Sequence, residues 1–255
     1  MRTIGFIGAG RIACIMLEGW DQAGVLPDAV VAFDANPDAA EKLAAAYPTV
    51  KTGSLAEAAS ADLVIVGLHP PLLAEVLPEI GRHLKSSAIL LSLAPKVKFA
   101  GLSRLLGGFA RLARQNPNAP SIIGQGYNPI AFAPALSDAE REALITQMVP
   151  LGDCPVVDEG TIEAYALISA MGPTYLWFQF QELERLAVEF GLTEAAAREA
   201  VAAMARGAAA TMYESDLSAN GVMDLVPVKP LAGDEAAIVA IYGDRLKPLF
   251  HKLTA

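Results

Sequence analysis

Thr3-Ile4-Gly5-Phe6-Ile7-Gly8-Ala9-Gly10-Arg11-Ile12-Ala13 is the stretch on which the fold turns. Thr3–Ile7 reads as a short buried strand, Gly8-Ala9-Gly10 as a turn, and Arg11–Ala23 as a helix whose apolar residues recur at helical spacing. A glycine-rich turn between a strand and a helix is the setting in which the pattern acquires a physical meaning, the binding of a dinucleotide. Gly8 permits the tight turn, Gly10 lets the backbone approach a pyrophosphate, and Ala13 keeps the helix against the strand. The amides around Ala9, Arg11 and Ile12 at the helix start then face the anion.

Outward from this loop the first half alternates short apolar runs with helical stretches, the rhythm of βαβ units. Strands are predicted at Ala29–Asp34, Leu63–Val66, Ala88–Ser92 and Ala110–Gln115, and helices at Pro37–Ala46, Pro71–Ile80 and Lys98–Leu106, with Leu55–Ala59 at most a helical turn. The expected class is α/β: a Rossmann-type, doubly wound parallel sheet over residues 1–155, then an all-helical domain over residues 156–255. Asp34 ends the second strand 24 residues beyond Gly10, where a carboxylate accepts from the adenosine ribose hydroxyls. NADH and NADPH both fit, with NADH slightly favoured: Asp34 repels a 2′-phosphate, and Ala35-Asn36-Pro37 offers no cation, although Lys42 or Arg11 could reach in.

Beyond Pro150 the character changes. Gly160–Met212 is Ala- and Leu-rich and helical, punctuated by Gly172-Pro173 and by Gly191-Leu192-Thr193-Glu194, a glycine stop followed by a threonine cap. Leu167, Ile168, Met171, Leu176, Trp177 and Phe180 occupy more than one helix face, as in a helix central to a monomer's core or one at the interface of a homodimer or larger homo-oligomer.

Composition narrows the function classes. The 255 residues carry a net charge of −9, with 53% hydrophobic and 18% charged residues, so there is no surplus of cations to neutralise nucleic acid or an anionic membrane. A small-molecule substrate is expected. No apolar run reaches the roughly 18 residues that span a bilayer, and the N-terminus reads as a strand, so a cytoplasmic location is expected. Cys14 and Cys154 read as ordinary buried thiols, and His69, His83 and His251 lack metal-ligand spacing.

Several segments, in order along the chain, resemble the pyrroline-5-carboxylate reductase family. They are the opening strand and loop; Val64-Ile65-Val66-Gly67-Leu68-His69-Pro70; Arg114-Gln115-Asn116-Pro117-Asn118-Ala119-Pro120; and Glu163-Ala164-Tyr165-Ala166-Leu167-Ile168-Ser169-Ala170-Met171-Gly172-Pro173-Thr174-Tyr175. The last is similar to the family's Asp-Ala-x-Thr-x-Leu-Ser-Gly-Ser-Gly-Pro-Ala-Tyr helix. Phe190-Gly191-Leu192-Thr193 resembles its Gly-Leu-Pro turn, and Ala205-Arg206-Gly207-Ala208-Ala209 its Gly-Ala helix end. The resemblance implies a cofactor role for His69, Pro70 and Asn118, a dimer of intertwined helical domains, and active sites at the domain border.

Departures from the family fall in its substrate half. Its Ser-Pro-Gly-Gly-Thr-Thr motif, which holds the pyrroline carboxylate, would lie near Val226–Gly233, where this chain reads Val226-Pro227-Val228-Lys229-Pro230-Leu231-Ala232-Gly233. Ala166 and Met171 stand where the family has Thr and Ser. The resemblance thus implies reduction of a small cyclic, carboxylated imine, and the departures weigh against pyrroline-5-carboxylate itself. The side chains available to pair with a substrate carboxylate or supply a proton are Lys229, Tyr175 and Ser169. A keto or hydroxy acid dehydrogenase and a dinucleotide-binding protein without turnover remain as alternatives.

Overall fold

Buried apolar strands with helical stretches between them assemble as the sequence pattern requires. The computed structural model describes residues 3–68 and 70–254. The elements are β1 (Ile4–Ile7), α1 (Arg11–Gln22), β2 (Val30–Phe33), α2 (Pro37–Ala46), β3 (Val50–Thr52), α3 (Leu55–Ala59), β4 (Leu63–Val66), α4 (Pro70–His83), β5 (Ile89–Ser92), α5 (Phe99–Leu105), β6 (Leu112–Gln115), β7 (Gly126–Tyr127), β8 (Ile130–Phe132), α6 (Asp138–Met148), β9 (Gly152–Asp153), α7 (Ile162–Tyr165), α8 (Pro173–Glu189), α9 (Glu194–Glu214), α10 (Ala219–Met223) and α11 (Glu235–Thr254). No described helix is long and apolar enough to cross a membrane.

The main sheet runs β3-β2-β1-β4-β5-β6-β8, with β8 antiparallel to β6 and the other pairs parallel. Period-two alternation divides the side chains of each central strand between two cores. Ile4, Phe6, Leu63 and Ile65 pack with Met16, Leu17 and Trp20 of α1 and with Leu43 of α2. Ile7, Val64 and Val66 pack on the opposite face with Leu73, Leu77 and Ile80 of α4 and Leu102 of α5. Each such side chain taken out of water contributes about 1.5–3 kcal/mol, which is why strands buried on both faces read as continuous apolar runs.

The five predicted strands and the helices between them are present, with ends shifted by a few residues; α4 continues past Ile80 to His83, carrying Pro78 on its exposed face. Several short or shallow elements lay outside the reading. β3 buries only Val50, β8 is three residues long, and α6 buries only Leu144 and Met148, too little for periodicity to reveal. Cys14, expected to be buried, is exposed: the buried stripe of α1 is Ala13, Met16, Leu17 and Trp20, and Cys14 falls beside it. Cys154 is half-buried, and burial pushes its thiol up to about 11.

Two compact units are present, one reaching Met171 and taking in the final stretch from Phe250, the other spanning Gly172–Leu249. Before Gly172 the expected long helix is interrupted. A 3-10 turn at Glu159–Thr161 and short α7 lead into a π-helical segment, Ala166–Ala170, closed by a hydrogen bond from the Met171 N–H to the Ala166 carbonyl (3.0 Å). In the second unit α8 packs on α9, and Thr193 caps α9 by accepting from the Ala196 N–H (3.2 Å), as expected for that turn. Trp177 is 50% and Phe178 66% exposed on α8, and Ile241 is 60% exposed on α11. An apolar surface of this kind on single helices is that of an interface rather than of a monomer's core.

Candidate functional site

β1 and β4 lie side by side while the chain departs from them in opposite directions, so their carboxyl ends form the sheet's switch point. Open parallel sheets bind ligands in the crevice that opens there. Gly8 sits at φ +102°, and a Cβ on it would stand 2.7 Å from the Gly67 carbonyl oxygen in the loop after β4. Gly10 leads into α1 with no side-chain cap, and a Cβ there would meet nothing within 4 Å. The first-turn amides of α1 therefore have neither an intrahelical acceptor nor a capping side chain, the arrangement that receives a pyrophosphate. Ala9 is buried and Arg11 exposed; Ile12 is half-buried beside Gly67.

Asp34, just past β2, has a second task that its position in sequence did not reveal. Its Oδ2 accepts the N–H of Ala9 (2.8 Å) and its Oδ1 that of Asn36 (2.9 Å). The carboxylate thus ties the glycine loop to the start of α2, and a carboxylate has acceptor sites beyond these two for ribose hydroxyls. Pro70 opens α4 with its backbone, whereas His69 lies outside the described residues.

On the other side of the loop, toward β5 and β6, a cleft of about 300 Å³ is walled by Ile12, Gly67, Leu68, the Leu93-Ala94-Pro95 segment after β5, Asn116-Pro117 after β6, and Ala166, Ala170 and Met171. Asn118 and Ser169, predicted from separate motifs, meet beside it. Pro173 has no N–H to offer the Ser169 carbonyl four residues back, and Asn118 Nδ2 donates to that carbonyl instead (3.1 Å). Asn118 Oδ1 accepts from the Tyr127 N–H (3.1 Å), while the Ser169 hydroxyl donates to the Tyr165 carbonyl (2.9 Å).

Tyr175 and Lys229 belong to the other compact unit. Tyr175 meets Tyr242 edge-on with ring centroids 6.0 Å apart, and burial, with Tyr242 adding to it, raises its phenol above the usual range. Lys229 is exposed at the edge of a shallow groove with Leu231, Glu235 and Val239. Glu235 opens α11 as a first-turn carboxylate, where the helix dipole favours it.

Missed from sequence is a charged cluster: Arg114 at the end of β6 is fully buried and pairs with Glu163 (2.5 Å) and Glu159 (3.3 Å). Only the i, i+4 spacing of the two glutamates hinted at a shared face.

With this geometry in place, the likenesses to known proteins take their positions on it. Residues 3–96 match the family described as "NADP oxidoreductase coenzyme F420-dependent", and residues 159–230 match "Pyrroline-5-carboxylate reductase dimerisation". The pyrroline-5-carboxylate reductase of Pseudomonas aeruginosa is 27% identical over 98% of this chain and 92% of its own. Pyrroline-5-carboxylate reductase 3 of Bos taurus is 28% identical over 84% and 70%. In fold, the chain resembles the Plasmodium falciparum pyrroline carboxylate reductase solved with NADP bound (TM-score 0.75, 18% identity, covering 98% of this chain and 93% of that one) and the Coxiella burnetii pyrroline-5-carboxylate reductase (TM-score 0.72, 24% identity, 99% and 94%). Glycine loop, sheet order and both family matches point the same way: they support a member of the pyrroline-5-carboxylate reductase family, with an N-terminal domain of Rossmann type.

Proposed function

We propose that the protein reduces a small cyclic imine that carries a ring C=N and a carboxylate, with NADH in preference to NADPH, as a homodimer or larger homo-oligomer in the cytoplasm. The observation that carries the reading is the uncapped start of α1 at Gly8-Ala9-Gly10, with the Asp34 carboxylate 2.8 Å from the Ala9 N–H. A dinucleotide with its pyrophosphate on that helix start lays one nucleoside toward Asp34 and the other toward the cleft beyond Gly67. The bound nicotinamide supplies hydride, and the chain supplies orientation and charge.

Ile12, Leu68 and Pro95 give the cleft an apolar lining. Asn118 holds the backbone of the π-helical segment there through the Ser169 carbonyl. The hydroxyl of Ser169 donates to the Tyr165 carbonyl; Lys229 and Tyr175 are the other candidates to pair with a carboxylate or deliver a proton. Ala166 and Met171 place methyl and thioether groups where the family has hydroxyls, which favours a substrate other than pyrroline-5-carboxylate.

Loss of reduced-nicotinamide absorbance with NADH and NADPH, against five- and six-membered cyclic imines with and without a carboxylate, tests this directly. Turnover of an imine is expected; turnover of keto acids alone would replace the C=N assignment, and cofactor binding with no turnover of either class would leave a binding protein. Lys229→Met is expected to raise KM for a carboxylated imine about 10-fold, the equivalent of about 1.4 kcal/mol. Unchanged kinetics would return Lys229 to the solvated surface.

Asp34→Ala removes both the loop tie and the ribose acceptor. Charge-assisted hydrogen bonds contribute about 1.5–3 kcal/mol each, so NADH affinity should fall at least about 10-fold and NADPH affinity by less. Titration of both cofactors by fluorescence checks it: an equal loss for the two would leave Asp34 as the loop's tie alone.

A further inference from the structure

The β5–α5 connection walls the cleft with Leu93-Ala94-Pro95 and then passes through Lys96, which sits at φ +79° and is the sole described non-glycine residue with positive φ. An L residue with a long side chain takes that conformation only when its surroundings hold it there. What holds it is Glu163, whose Oε1 accepts the Lys96 N–H (3.2 Å). Two residues on, Lys98 precedes α5 without a side-chain cap, and the missing acceptor is supplied by Glu159, whose Oε1 takes the Phe99 N–H (2.5 Å).

Both carboxylates are in turn held by Arg114, whose guanidinium is completely buried. Each glutamate therefore joins one arginine N–H to one backbone N–H of the same connection. Buried charges are costly unless they are paired and hydrogen-bonded, and here the hydrogen bonds made with them are the ones that shape the cleft wall.

We infer that Glu163, with Glu159 and Arg114, is the positioning device for the β5–α5 connection, and that it sets the fit of the cleft to the nicotinamide half of the cofactor. The inference rests on the dinucleotide reading given above. Strand order makes it specific: the connection lies on the cleft side of the glycine loop, Asp34 on the other. Disturbing Glu163 changes how the nicotinamide is held and leaves the adenosine half alone.

The experiment compares dissociation constants for NADH and for ADP-ribose, which lacks the nicotinamide, in the full-length protein. Glu163→Asp keeps a charge opposite Arg114 but shortens the reach to Lys96. It is expected to weaken NADH about 10-fold and ADP-ribose by less than about 2-fold, an effect of the size of one charge-assisted hydrogen bond. Lys96→Pro, at an exposed position, removes the N–H and forbids positive φ, and should reproduce the selective loss. Lys96→Gly placed on Glu163→Asp should restore most NADH affinity, because glycine takes positive φ without a tether.

Equal losses for both ligands that follow a drop in Tm, or a loss that Lys96→Gly does not relieve, would overturn the inference and leave the cluster a purely structural one. Wild-type protein that binds neither ligand would overturn the dinucleotide reading itself. Binding of both ligands by wild type with no selective change in Glu163→Asp or Lys96→Pro would overturn the positioning role alone.

Discussion

Gly10→Ala should lower dinucleotide affinity about 100-fold or more, some 2.7 kcal/mol, while leaving the melting temperature within a degree or so of wild type. The backbone of Gly10 is at φ −80°, a region open to any L residue, and a Cβ built there meets no protein atom within 4 Å. The folded chain thus has no reason to exclude alanine. A bound pyrophosphate would: the added methyl would occupy the approach to the first amides of α1, the donors proposed for the anion.

Gly8→Ala is expected to fail differently. At φ +102° the substitution incurs about 1–2 kcal/mol of left-handed strain, and a Cβ 2.7 Å from the Gly67 carbonyl oxygen adds about 1–3 kcal/mol of overpacking. Both loops of the crevice are displaced, so stability and binding fall together. Thermal unfolding and NADH titration of the two variants separate the cases. Unchanged NADH affinity in Gly10→Ala would move the pyrophosphate away from this loop.

Arg114→Met is expected to destabilise the fold by about 3–5 kcal/mol, because it leaves the Glu163 carboxylate buried without its counter-charge. Glu163 is 1% exposed and cannot turn to water without opening the packing of α7. Replacing both charges, as in Arg114→Met with Glu163→Leu, should recover a large part of the loss, since a buried pair is commonly no more stable than apolar residues of similar volume. Urea unfolding of the single and double variants measures the coupling. A loss below about 1 kcal/mol in Arg114→Met would mean that the pair is hydrated in solution. Recovery of stability in the double variant without recovery of NADH affinity would agree with a positioning role for the carboxylate, because leucine cannot accept the Lys96 N–H.

Much of the cofactor half was legible because its determinants are local. A turn needing positive φ writes a glycine, a helix start that must stay open to an anion lacks a capping side chain, and a strand buried on two faces writes an unbroken apolar run. These signals single out Gly8, Gly10 and Asp34 as the expected dinucleotide contacts. Even there the chain concealed something: that the Asp34 carboxylate ties down Ala9 depends on the parallel pairing of β1 with β2, which brings together groups 25 positions apart.

The cleft wall was harder to read. Arg114 and its two glutamates are separated by 45 and 49 positions, and a charged residue that is solvated looks the same in sequence as one that is buried and paired. The interruption of the helix at Ala166–Ala170 likewise needs more than its residues, which are ordinary helix formers; Pro173 frees a carbonyl, and Asn118 from the loop after β6 arrives to take it. Local conformation and periodicity determined the five main strands and the glycine loop from sequence alone, and the resemblance of the motifs pointed to the family. Tertiary structure decided which distant polar groups meet, because a buried charge or an unpaired carbonyl is tolerated only where the fold brings it a partner.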